Sequence, residues 1–86
     1  MLNEEREAIE EREAIEEREA IEALGWQTIN VYGYSHATGW TIGIYCLSGT
    51  WESILWDGKQ VHARFPSPLA AAQLHAEIIR NATALD

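Results

Sequence analysis

The chain has one lysine, two prolines and a single cysteine, and no uninterrupted apolar run exceeds four residues. Each scarcity removes a class of protein. The lone Cys46 excludes an internal disulfide framework, so nothing in the chain calls for an oxidising compartment. A membrane-spanning helix needs about 18 or more apolar residues, and no segment approaches that. The opening residues Met-Leu-Asn-Glu-Glu-Arg lack the basic-then-apolar pattern of a secretory leader. The expectation is a cytoplasmic protein. Six cations stand against fourteen acids, net −8. Such a balance disfavours nonspecific attachment to phosphate backbones or anionic membranes, where Lys and Arg must displace counterions. No glycine-rich phosphate loop is present, because Gly39, Gly43 and Gly49 fall in predicted strands or turns with no helix after them. His36, His62 and His75 have no neighbouring Cys or His at zinc-finger spacing. The reading therefore includes no cofactor and no metal.

What the chain does have is charge in one place. Residues 4–21 are the hexapeptide Glu-Glu-Arg-Glu-Ala-Ile written three times without change. Residues 1–24 carry ten glutamates and three arginines, net −7, which leaves net −1 for residues 25–86. The division predicts an acidic helical repeat arm over 1–24 and a small domain over 25–86. Helix-favouring residues without Gly or Pro, Asn3 as N-cap and Gly25 just past the end define the helix. A period of six rotates each Ala-Ile pair by about 120°, so no single apolar stripe runs its length. Leu2, Ile9, Ala20, Ile21 and Leu24 gather within one arc, while Ile15 points away. Repeats identical at every position favour bulk charge over a tuned site. Glu10, Glu11, Glu13, Glu16 and Glu17 are the binding candidates on the arm.

From Trp26 onward short β-rich runs alternate with turn residues. Strands are predicted over 26–34, 39–47, 51–56 and 59–65, with an Asp57-Gly58 hairpin loop. That loop pairs Trp56 with Lys59, Ile54 with Val61, Ser53 with His62 and Trp51 with Arg64. Between the second and third runs, a two-residue Ser48-Gly49 loop would divide the large apolar residues between both faces. A three-residue loop gathers Trp40, Ile42, Ile44, Cys46, Ile54, Trp56, Val61 and Phe65 on one face, joined by Ile29 and Val31. The longer loop is preferred on the rule that register follows the face that can be buried. Ser67 as N-cap and Pro68 at the first helical position open a last helix reaching about residue 82. Its apolar arc is Ala71, Ala72, Leu74, Ile78, Ile79 and Ala82. The predicted fold is α+β: an N-terminal acidic helix, a three- to four-stranded antiparallel meander, and a C-terminal helix packed on one sheet face.

This helix–strands–helix order resembles double-stranded-RNA-binding domains in outline. Their last helix opens on lysines, and the matching segment here is Ser67-Pro68-Leu69-Ala70-Ala71-Ala72, so the resemblance does not bring that family's phosphate grip with it.

In the preferred register the opposite sheet face carries Thr28, Asn30, Tyr32, Tyr34, Tyr45, Leu47, Trp51, Ser53, Leu55, His62 and Arg64. Trp, Tyr and Arg together are the composition of a protein-interface core. Tyr32, Tyr34, Tyr45, Trp51, His62 and Arg64 are the binding candidates there, unless the N-terminal helix or another copy covers them. Catalytic readings are weaker. Cys46 points inward while His62 points outward, Ser53 beside His62 has no acid to orient the ring, and His75 falls in the last helix's apolar arc as a core histidine. The functional expectation is a small non-enzymatic protein-binding module whose partner has a basic surface. In size and charge it resembles small acidic inhibitors of phages and mobile elements, including anti-CRISPR proteins, which block basic nucleic-acid-binding grooves. A homo-oligomeric adaptor using the aromatic face is the alternative, and a weak single-stranded nucleic-acid binder is the third.

Overall fold

The computed structural model describes the backbone of residues 2–84 and the side chains of residues 12–82. The order is α1 (Leu2–Ala23), β1 (Trp26–Asn30), β2 (Gly33–His36), β3 (Trp40–Leu47), β4 (Thr50–Asp57), β5 (Gln60–Phe65) and α2 (Pro68–Ala84). The five strands form one antiparallel sheet in sequence order. The architecture is the expected α+β arrangement, with one strand more than the upper expectation. The extra strand comes from residues 26–34, where Asn30 Oδ1 accepts the Tyr32 N–H at 2.8 Å and folds the chain back into β2. His36, expected in a loop, is the last residue of that strand.

α1 stops where the sequence placed its cap. The Leu24 N–H donates to the Ile21 carbonyl and the Gly25 N–H to the Glu22 carbonyl, each at 3.0 Å. Gly25 has φ 96°, and a Cβ there would lie 2.8 Å from His36 Nε2, so glycine is required both for the backbone and for the contact. At the other end of the chain the Ser67 hydroxyl accepts the Ala70 N–H at 3.2 Å, which caps α2 with Pro68 as its first residue.

Both helices lie on the same side of the sheet. Ile21 from α1, Ala71 and Ala72 from α2, and Trp26, Tyr34, Ile42 and Leu55 from the strands form one buried cluster. α1 runs along β1 and α2 crosses β3, β4 and β5. Among the described residues no layer lies over the other sheet face, in keeping with extents of 55 × 28 × 19 Å whose shortest dimension holds one helix layer and one sheet.

The register differs from the expected one. Ile42 pairs with Leu55, Ile44 with Ser53 and Leu47 with Thr50, so the β3–β4 loop is Ser48-Gly49 alone. Ser48 (φ 53°) and Gly49 (φ 80°) both take positive φ, the type I′ turn that matches strand twist. A one-residue slip reverses every side chain of β4. Leu55 is therefore fully buried and Ser53 nearly so, while Trp56 is only half-buried on the open face. The cause is α2, which presents the small Ala71 and Ala72 to the sheet. Leu55 joins Ala71 and Ala72 in one buried cluster, and Ser53 is buried on the same face. Ile54 stays buried, but on the open face.

The β4–β5 hairpin also corrects its expectation. Asp57 pairs with Gln60, so the loop is Gly58-Lys59, and Gly58 alone has positive φ, as type II′ requires. A bulge then places His62 as an extra residue between the Trp56–Val61 and Leu55–Ala63 pairs. Val61 emerges on the open face, 51 % exposed, and Ile29 and Val31, expected in the core, are exposed as well. Cys46, expected inward, is exposed.

Candidate functional site

The exposed aromatic face expected from the sequence is divided among four places. Tyr34 is buried: it pairs with Ile42, and α1 crosses it. Burial raises its phenol pKa, and the Glu17 carboxylate overhead raises it further. Tyr32 and Trp51 stay exposed and stack on each other, with centroids 6.1 Å apart and planes within 5°. Strand alternation carries both to the helix-bearing side: the Tyr32 carbonyl accepts the Ile44 N–H, and Trp51 pairs with Cys46. Tyr45 and Arg64 do lie on the open face, where Arg64 Nη1 is 3.7 Å from Glu52 Oε2. His62, expected beside Ser53, sits edge-on to Trp40 at 5.2 Å, while Ser53 is buried under α2.

On the arm, Glu13 and Glu16 are exposed and Glu17 is half-buried. The side chains of Glu10, Glu11, Leu2 and Ile9 lie outside the described residues. The identical repeats have unequal surroundings. Ile21 is fully buried and Ile15 is 46 % exposed. Ala14 and Arg18 line a crevice with Thr28, Asn30, Val31 and Tyr34 at the β1–β2 end of the sheet. The helical turns before Ala14, about 18 Å at 1.5 Å per residue, therefore continue past that end. They leave at the same end of the sheet as the Tyr32–Trp51 stack.

A second constellation escaped the sequence reading. His75 on α2 is 1 % exposed and lies edge-on to Trp26 and Trp40, with ring centroids 4.9 and 5.3 Å away. It was read as a core histidine and is one, bonded to a hydroxyl. His75 Nε2 is 2.9 Å from Thr38 Oγ1, which is 3.0 Å from His36 Nδ1, and His36 Nε2 is 3.2 Å from the Leu24 carbonyl. The Thr38 N–H also donates to His36 Nδ1, at 3.1 Å. One proton arrangement satisfies the whole chain: His36 neutral with Nε2–H donating to Leu24, and His75 Nε2–H donating to Thr38. Burial lowers the His75 pKa, and the neighbouring His36 ring lowers it further. This relay clips the end of α1 to the β2–β3 loop and α2. The signal for it, two histidines and a threonine with His75 37 residues beyond Thr38, has no readable spacing.

His36 and His75 do not form a metal centre: among the described residues no group of three or more His, Cys, Asp or Glu is placed to hold a metal ion. Among them, too, no helix is long and apolar enough to cross a membrane. No family model, curated protein or solved structure matches the chain.

Proposed function

We propose that the protein is a small, non-enzymatic protein-binding module whose partner presents a basic surface, one form being an inhibitor that occupies a nucleic-acid-binding groove. The observation that carries this reading is the projection of α1 past the sheet end at which Tyr32 stacks on Trp51. The arm supplies carboxylates, and the stack at that end supplies two aromatic faces, each more than half exposed. Arginine uses both, pairing with carboxylate and lying over an aromatic ring, and lysine does so less well. Charge of one sign, concentrated on a rod, also speeds encounter with an oppositely charged partner.

The test is an NMR titration of the 15N-labelled full chain with a nine-residue oligoarginine peptide. Expected shifts fall on the Trp51 indole, on Tyr32 and along α1, and vanish between about 50 and 500 mM salt. Replacing Glu10, Glu11, Glu13, Glu16 and Glu17 by Gln abolishes binding, and Trp51→Leu weakens it. Salt-insensitive binding, or shifts confined to the other sheet face, overturns the reading. Truncating the arm is the wrong control, because it removes Ile21 from the core.

A further inference from the structure

We propose that the open sheet face is the contact surface for a second copy of this chain, in a two-fold dimer of stacked sheets. The face has unequal halves. Across β2 and β3 the paired Gly33 and Gly43 leave a shallow concavity of about 430 Å³, bordered by Ile29, Tyr45 and Trp56. Across β4 and β5 the surface rises on Trp56 and Val61, which are directly paired. A two-fold axis lying in the interface plane, along the strand direction, sets the raised half of each copy over the low half of the other. Sheets stacked in this way are about 10 Å apart, a gap that these side chains fill.

Charge selects the occupant. The strands' open face carries Glu52 and Arg64, already paired with each other, so it attracts neither a cationic nor an anionic partner. A second copy matches it, because a two-fold contact repeats the same neutral pair on both sides. The acidic arms do not oppose it. Each lies on the far side of its own sheet, so two thicknesses of a molecule 19 Å through separate them, against a screening length of about 8 Å at physiological salt.

Area and edges agree with this assignment. Five strands spaced by about 4.8 Å and roughly 20 Å long give about 500 Å² in projection and roughly 600–800 Å² of accessible surface per copy, which is within the range of specific interfaces. Edge-to-edge pairing is disfavoured, because both edge strands carry bulges, between Thr28 and Asn30 in β1 and at His62 in β5. Ile54 is buried on this face although among the described residues no second layer covers it. Ile54 is thus the floor of a half-built second core.

Sedimentation velocity on the full chain, from about 1 to 200 µM, decides the matter. The expected species is twice the 9.7 kDa chain mass. Val61→Glu on the raised half and Ile29→Glu on the low half each give monomer, with circular dichroism unchanged because both positions are exposed in the single chain, and with melting that no longer depends on concentration. Ile15→Glu on the arm leaves the dimer intact. A wild-type monomer at the highest concentration, or a dimer that survives both face substitutions, overturns the proposal. Oligoarginine binding by the Val61→Glu variant is an independent readout, so failure here leaves the arm's function to be judged separately.

Discussion

Three identical hexapeptides provide an internal control. Ile15 and Ile21 have the same five residues before them and a glutamate after them. Intrinsic helix propensity and local charge therefore cancel between Ile15→Ala and Ile21→Ala. What differs is the tertiary environment: 46 % exposed against fully buried in the cluster with Trp26, Tyr34 and Ala72. Removing three carbons from a buried site loses about 2.4 kcal/mol of transfer free energy at roughly 0.8 per carbon. The unfilled cavity brings the cost to about 2.5–4 kcal/mol. Alanine's better helix propensity returns about 0.4 kcal/mol at either position, which nearly cancels the small loss at Ile15. The expected difference is about 2–3.5 kcal/mol, a large part of the roughly 4–13 kcal/mol that a chain of this size possesses. Urea unfolding followed by tryptophan emission reads it. At a slope of about 1 kcal/mol per molar, the Ile21→Ala midpoint falls by about 2–3 M while that of Ile15→Ala stays within about 0.5 M. Equal midpoints would refute the docking of α1, and with it the argument that the arm leaves the sheet at the end that holds Tyr32 and Trp51.

Three more outcomes follow from the register, the glycine pair and the histidine relay. Leu55→Ala costs about 3 kcal/mol and Val61→Ala under about 0.7, in denaturant titrations; a three-residue β3–β4 loop would reverse the order. Gly43→Ala places a Cβ 2.6 Å from the exposed Tyr45 ring, which swings aside at a cost under about 1 kcal/mol, and Gly33→Ala, whose nearest atom is 3.6 Å away, is close to neutral in thermal melts. Because the folded state holds the His75 pKa below its ordinary value of about 6.5, the unfolded chain takes up a proton there first. Stability is then fully present above about pH 6.5 and declines as pH falls toward the folded-state pKa, by up to about 1.4 kcal/mol per pH unit. His75→Gln removes that slope below about pH 6.5, and an unchanged slope would assign it to other groups.

Much of the local structure was legible because it depends on neighbours in sequence. Gly25, Ser67 and Pro68 mark helix ends through backbone groups within four residues of them, whereas Asn3, expected as an N-cap, lies inside α1, which begins at Leu2. The strand runs and turn residues are equally local, and the acidic repeat announces itself by composition alone. Tertiary structure decided which face each strand turns inward. At Ser48-Gly49 both loop lengths were stereochemically open, and the choice fell to α2, whose Ala71 and Ala72 form one buried cluster with Leu55. That one-residue difference relocated Ser53, Leu55 and Trp56, while the turn at Asn30 moved Tyr34 and the β5 bulge moved His62, and together they dispersed the expected binding surface. The histidine relay is likewise a product of packing, since His36, Thr38 and His75 meet only when α2 lies across the sheet. The sequence by itself determined the elements, their ends and the separation of charge, because these follow from interactions within a few residues. Only the fold decided which side chains face solvent, because burial is settled between elements and a period-two strand gives its side chains just two choices.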